Sequence, residues 1–277
     1  MKTLLLILSL TMCSLLVACE ANSTIAELPV QELDLSTGQA VYIEADSGAV
    51  DITSGGEAAV RLSGQGPTAS ADSVTVVNTS DGIHFSAKND SRPFWEGGSP
   101  AVHLNVRVPN GTSVHVDSYE AAVNIHDFEG EANISTVAGD IRIQDSKGQF
   151  NVKDNRGSVA VVRSSGEIGL AGNYGLLSLQ DTTGVMSAAT ILGMARFAGV
   201  VKAGDMLKLE TDHGPVELQL ADTTDATVTV SSTTGVVSCT VPGLQTTGAG
   251  CAGTLNNGDG QVIVQTVSGA VTVEPLR

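Results

Sequence analysis

Apolar residues recur along this chain in triplets of the form apolar–polar–apolar, and successive triplets are nine residues apart. Val41-Tyr42-Ile43 and Val50-Asp51-Ile52 begin the series. From residue 123 to residue 197 it runs unbroken, through Val123/Ile125, Ala132/Ile134, Ile141/Ile143, Phe150/Val152, Val159/Val161, Ile168/Leu170, Leu177/Leu179, Met186/Ala188 and Ala195/Phe197. Alternation with period two places one set of side chains on one face of a strand, so each triplet predicts a short strand with two residues turned inward. Eight glycines keep the same step: Gly130, Gly139, Gly148, Gly157, Gly166, Gly175, Gly184 and Gly193. They fall between triplets, where the chain must turn, and the expectation is that they supply positive φ there. No segment after residue 18 shows a helical period.

A nine-residue unit cannot bury its own two apolar residues, so the units must stack and the stack must supply the core. The prediction is an all-β chain folded as a single-stranded parallel β-helix, a β-solenoid. Coil size depends on which corners become neighbours. Two positions after the second apolar residue stand Asp127, Thr136, Asp145, Asp154, Arg163, Gly172, Asp181 and Thr190. Three units per coil would stack Asp127, Asp154 and Asp181, and like charges on adjacent strands repel. Two units per coil put Arg163 between Asp145 and Asp181. A coil of about 18 residues is therefore favoured, by a margin set by exposed ion pairs worth about 0–1 kcal/mol each. A three-sided coil of about 27 residues is the alternative.

The pattern is looser elsewhere. Strand candidates lie at Val60 to Leu62, Val74 to Val77, Ile83 to Phe85 and Val102 to Val108, and after the turn Pro109-Asn110-Gly111 at Val114 to Val116. Beyond Phe197 the frame shifts by three residues and resumes at Leu207-Lys208-Leu209 and Val216-Glu217-Leu218. It returns at Val228 to Val230, Val237 to Cys239, Val262 to Val264 and Val271 to Val273.

The amino terminus has a different character. Residues 1–18 hold one cation, Lys2, and an apolar run ending at Leu16-Val17-Ala18-Cys19. Such a run is too short and wrongly flanked for a stable membrane span, and a small residue before cysteine is what a lipoprotein signal peptidase requires. Residues 1–18 are expected to be a signal peptide and Cys19 the lipidated first mature residue, carrying palmitate-type acyl chains that anchor the protein to a membrane. Residues 19–37, polar and acidic, read as a tether, and residues 38–277 as one solenoid domain. Cys239 and Cys251 then remain as an even pair in an oxidising compartment, and a disulfide is expected.

Composition narrows the function. Apolar residues make up 42% of the chain but aromatic ones only 3%, which suits thin stacked layers. The net charge is −16, and loss of Lys2 with the signal makes it −17. That charge argues against nucleic-acid partners. Gly248-Ala249-Gly250-Cys251-Ala252-Gly253 matches a dinucleotide-binding string, but a loop follows it where that motif needs a helix, so it reads as a flexible turn tied by the cysteines. The nonapeptide period resembles that of calcium-binding β-rolls, yet only one glycine per unit is present. His103, His115 and His126 fall at outward phases and read as solvated; no metal and no cofactor are expected. Asp145, Asp154, Arg163 and Asp181 resemble the acid cluster of a glycan-cleaving β-helix, but they are expected at solvated corners. Two irregular places are candidates for partner contact: Arg92, Phe94 and Trp95 in the loop before Pro100, where the favoured alternative is that the two rings fold over the open end or side of the solenoid, and Ile191-Leu192 together with Val200-Val201, where the alternative is that they fill the register break.

Residues 101–143 contain Val106-Arg107-Val108, Pro109-Asn110-Gly111 and Ala138-Gly139-Asp140-Ile141, and similar corners recur at Ser164 to Ile168 and Val267 to Val271. In these features the chain resembles the bacterial putative-adhesin β-strand-repeat domain of unknown function. The resemblance covers roughly residues 40–275 and implies a β-helical cell-envelope protein; it carries no catalytic residues. The expected role is a non-catalytic lipoprotein acting as an adhesin-like scaffold or binding surface for an envelope protein or glycan. The alternatives are a glycan-active lyase or hydrolase and an envelope-stress sensing protein.

Overall fold

The computed structural model describes residues 25–56, 59–67, 74–87 and 101–276. These residues form two sheets packed face to face. The first runs, edge to edge, through β1 (Ile25–Asp34), β4 (Ala59–Pro67), β7 (Val102–Pro109), β3 (Gly48–Gly55), β9 (Ala122–His126) and β11 (Ile141–Gln144). It continues with β13 (Val159–Val162), β15 (Leu176–Gln180), β17 (Met194–Gly199), β19 (Val216–Leu220), β25 (Val271–Pro275) and β21 (Val237–Cys239). The second runs through β22 (Gln245–Thr247), β23 (Gly250–Leu255), β20 (Ala226–Ser232), β24 (Gly260–Thr266), β18 (Met206–Thr211) and β16 (Thr183–Thr190). It ends with β14 (Ser165–Gly172), β12 (Lys147–Asp154), β10 (Glu129–Thr136), β8 (Thr112–Ser118), β2 (Ala40–Ala45), β6 (Gly82–Ala87) and β5 (Val74–Asn78).

Through the regular stretch the chain crosses from one sheet to the other every nine residues, and parallel partners are eighteen residues apart. Ala132 faces Phe150, Phe150 faces Ile168 and Ile168 faces Met186. Ile141 likewise faces Val159, and Val159 faces Leu177. The inward columns fill the space between the sheets: Phe150, Ile141, Val159, Leu177 and Phe197 are all fully buried. Each strand contributes only two such residues, and the stack as a whole makes one continuous core.

Stack order departs from chain order at both ends. The coil made by β24 and β25 lies between that of β18/β19 and that of β20/β21, with Leu207 paired to Val262 and Val262 to Val228. At the other end β2/β3 lies between β8/β9 and β6/β7, with Val41 paired to both Ile83 and Val114. The last coil of the sequence is therefore internal, and β20/β21 is pushed toward the end, where the antiparallel strands β22 and β23 cover it. Any triplet fits any slot in the stack, so the nine-residue pattern specifies the coil but not its place.

Two expectations about segments are corrected. Of the expected tether at residues 19–37, Ile25–Asp34 forms β1, antiparallel to β4. Leu28 is buried there and Leu33 packs against the core, which an extended polar tether could not provide. The glycine-rich run expected to be a flexible turn is mostly strand: Gly250–Leu255 is β23, hydrogen-bonded on both sides. Residues 1–24, with Cys19, and residues 88–100, with Arg92, Phe94 and Trp95, lie outside the described residues.

Candidate interaction surface

The two long edges of the stack are built differently, although the sequence presents both as the same nine-residue corner. At the edge leading into β10, β12, β14 and β16, the residue after each preceding strand is Asp127, Asp145, Arg163 or Asp181. All four adopt left-handed φ, between 46° and 51°, a conformation that aspartate tolerates better than most side chains. They stack at the coil repeat, and Arg163 forms a bidentate pair with Asp145, Nε to Oδ1 and Nη2 to Oδ2, both at 2.7 Å. Asp127 turns instead to the His126 ring, 3.2 Å away. The Arg163 guanidinium, with a further hydrogen bond from Gln144, holds the Asp145 carboxyl at about 2.

At the opposite edge the equivalent residues include Ser118, Thr136, Asp154, Thr190, Thr211, Thr266 and Ser232, all buried, with the half-buried Gly172 between Asp154 and Thr190. Their side chains fold back onto the turn. The hydroxyl oxygens of Ser118, Thr136, Thr190, Ser232 and Thr266 accept the backbone N–H three residues on, at 2.8–3.1 Å. This is the side-chain-to-backbone bonding that favours Ser, Thr and Asp in turns. Asp154 is the one carboxylate of this column and is only 4% exposed. Its Oδ1 accepts from the Thr136 hydroxyl at 3.1 Å, while Oδ2 makes no well-formed hydrogen bond. Burial pushes its pKa up, and the Thr136 hydroxyl and neighbouring amides pull it partly back. The expectation of a solvated Asp154 is thus overturned, because the alternate corner folds its side chain inward. Asp145, Arg163 and Asp181 share one edge and Asp154 sits on the other, so the acid cluster is not assembled.

Glycine is required at both edges for a reason beyond φ. Gly148 has φ of 143°, but Gly157 is not in the positive-φ region. What they share is close approach: a Cβ on Gly148 would strike the carbonyl oxygen of Gly130, and one on Gly157 that of Gly139. The expectation that the glycines serve positive φ holds for some positions; at the others the missing Cβ alone lets adjacent coils touch. The left-handed residues include the aspartates and Arg163.

Beside the buried Ser/Thr column the surface is concave. A cavity of about 670 Å³ crosses the ends of β14, β16, β18, β24 and β20, and its lining includes Gly172, Ala189, Ile191, Asp212, Gln265 and Val267. Ala171, Gly172 and Ala189 are small, which leaves the depression, and Ile191 and Val267 rise at its rim, each 46% exposed. Leu192, half exposed, adjoins them on the same corner. Of the two apolar pairs picked out in the sequence, Ile191-Leu192 is therefore exposed, whereas Val201 is fully buried and fills the register break. The groove itself had no sequence signal of its own, since it lies across five strands that only the stacking brings together.

Elsewhere, His115 stacks on Tyr42 at a centroid distance of 4.9 Å, and Tyr42 stacks on His84 at 4.4 Å, an aromatic file across β8, β2 and β6. Its alignment depends on β2 lying between the other two. Among the described residues no three His, Cys, Asp or Glu side chains form a metal-holding group. Cys239 and Cys251 are joined in a disulfide that links β21 of one sheet to β23 of the other.

Two stacked sheets, glycine corners and a shallow lateral groove define a β-repeat scaffold. The chain belongs to the Toastrack DUF4097 family, whose model matches residues 7–274, in keeping with the β-strand-repeat resemblance in its sequence. No curated protein matches it. Among solved structures it is similar to a "putative adhesin" from Bacteroides fragilis, at 10% identity and a TM-score of 0.39, covering 90% of this chain and 97% of that one. It is similar also to a "putative lipid binding protein" from Parabacteroides distasonis, at 11% identity and a TM-score of 0.41, covering 92% and 98%. A third is a "putative cell adhesion protein" from Clostridium sporogenes, at 10% identity and a TM-score of 0.36, covering 91% and 100%.

Proposed function

We propose that this protein is a non-catalytic lipoprotein of the cell envelope, exported, cleaved after Ala18 and acylated on Cys19, whose two-unit, 18-residue coils form a rigid adhesin-like binding scaffold. The observation that carries the reading is the groove bounded by Ile191 and Val267. Exposed aliphatic residues beside a concave, hydroxyl-lined floor suit contact with another macromolecule. The strands that bear it are each hydrogen-bonded to a neighbouring strand on both sides, so the surface is preorganised and little ordering entropy is lost on binding. Acylation would hold the scaffold at the membrane, with Ile25 of β1 only six residues from Cys19, a contour of about 20 Å at most.

The test is made in intact cells with a photo-crosslinking side chain placed singly at Ile191, Val267 and, as a control on the opposite edge, Gln149. Crosslinks to an envelope protein or glycan from the first two positions and not the third support the reading. Equal labelling from all three contradicts it. In the same cells, Cys19→Ser should move the protein from the membrane to the soluble fraction.

A further inference from the structure

The corners that carry Ile191, Asp212 and Val267 stay in register after their strands end. The Asp212 N–H donates to the Thr190 carbonyl at 3.2 Å and the His213 N–H to that of Ile191 at 2.9 Å. One coil further, the Val267 N–H donates to Thr211 at 3.2 Å and the Ser268 N–H to Asp212 at 2.9 Å. Asp212 is thereby held between two aliphatic residues, each 46% exposed, on the wall of the groove. Among the described residues nothing pairs with its carboxylate: His213 is turned to Ser268 at 2.8 Å, and Lys208 to Glu210 at 2.9 Å. Glu210 lines the groove as well, and among the described residues no lysine or arginine does.

The groove also lies beyond the reach of the chain's own undescribed stretches. From Ala87 to Ala101 the chain extends about 50 Å at most, so out and back it covers about 25 Å. β18 stands seven strand spacings, about 34 Å, from β6. The stretch from Pro67 to Val74 is half as long. On the anchored reading, the mature chain ahead of Ile25 extends about 20 Å at most, and it starts from β1, the far edge of the other sheet. β25, which Leu276 and Arg277 follow, ends at the opposite edge of the stack.

We infer that the groove takes an extended segment of a partner protein, and that Asp212 is the seat of a lysine or arginine side chain of that segment. This rests on the groove reading above and names its occupant. Lysine and arginine carry a charged head on an aliphatic stem, and the wall offers surfaces to match, Ile191 and Val267 for the stem and Asp212 for the head. Glu210, two residues back, adds a second carboxylate to the same strand end. Flanking aliphatic groups keep water from the pair, which makes it worth more than an open surface pair. Five strands give the groove a length of about 19 Å, which about six extended residues fill. It crosses strands whose backbone is already paired on both sides, so the partner is held by its side chains and not as an added strand. No aromatic ring lines it for a sugar to stack on, and its acids repel nucleic acid and anionic lipid.

The experiment uses the full chain in intact cells, with a photo-crosslinking side chain at Gln265 on the groove floor or at Gln149 near the opposite edge. Each is combined with Asp212→Asn, with Asp212→Lys, or with Glu120→Lys, a charge reversal on the same edge beside β8 and outside the groove. Adducts from position 265 should be protein, and mass spectrometry should place them within about three residues of a lysine or arginine. Asp212→Lys should lower their yield about tenfold or more, Asp212→Asn should lower it by less, and Glu120→Lys should leave it unchanged, with all unfolding temperatures alike. Adducts confined to glycan, protein adducts remote from any basic residue, or a yield indifferent to Asp212→Lys would overturn the inference and leave the groove reading standing. Equal labelling from positions 265 and 149, or no adduct from either, would overturn both.

Discussion

Asp145 and Asp154 stand nine residues apart at equivalent places in the repeat, and their surroundings push their protonation in opposite directions. Asp145, paired with Arg163, has a folded pKa of about 2 against an ordinary 3.8. Its contribution to stability is present above 3.8 and is lost as the pH falls toward 2. Asp154 is raised by burial, so the folded state favours its neutral form. Its contribution is full below 3.8 and is lost as the pH rises through the folded value. Asp154→Asn should therefore raise the thermal unfolding temperature at pH 7 and lose that advantage near pH 3. Asp145→Asn should lower it at pH 7, with the difference vanishing near pH 2. Thermal scans from pH 2 to pH 8 on the two variants and the natural protein measure both effects. The Arg163–Asp145 pair was legible in the sequence as a modest preference, because of the two coil sizes considered the 18-residue offset sets Arg163 between Asp145 and Asp181. The burial of Asp154 was not, since its phase in the nine-residue unit matches that of Asp145 and only the alternation of edges separates them.

At the scale of the strand and its corner, two kinds of residue hold the coils in register. The first is the hydroxyl that caps the turn. Thr190→Val keeps the volume but leaves the Gly193 N–H, otherwise satisfied at 3.1 Å, without its acceptor; it should cost about 1–2 kcal/mol in chemical denaturation. The second is glycine at close backbone approach. Gly148→Ala meets both a positive φ and the Gly130 carbonyl, whereas Gly204→Ala, with φ of 84° and nothing within 4 Å of the new Cβ, meets φ strain alone. The latter should cost about 1–2 kcal/mol, and Gly148→Ala clearly more, by the same measurement. The strands themselves were readable because period-two alternation survives any stacking order. β1 was missed because its apolar residues, broken by Pro29 and interrupted by a register shift, do not keep that period.

At the scale of the molecule, a repeating coil would leave core and sheet edges open at both ends, and the chain answers by reordering its terminal coils and closing the end past β20/β21 with β22, β23 and a disulfide. Replacing Cys239 and Cys251 together with Ser should cost about 2–4 kcal/mol, with hydrogen-exchange protection lost first in β20 to β23 and retained in β12 to β16. The reordering had no sequence signal, because nine-residue units are interchangeable; the pairing of the two cysteines did. Everything placed on the surface, from the exposed carboxylates to the groove at Ile191, depends on the two-unit coil that alternates corners between two edges. Spin labels at Gln149→Cys and Glu167→Cys measure that coil directly. Eighteen residues per coil puts these positions on neighbouring strands about 4.8 Å apart, and strong dipolar broadening is predicted for this pair and weak broadening for labels at Gln149→Cys and Leu176→Cys. The reverse result, broadening from positions 149 and 176 but not from 149 and 167, would establish a 27-residue coil and contradict the account.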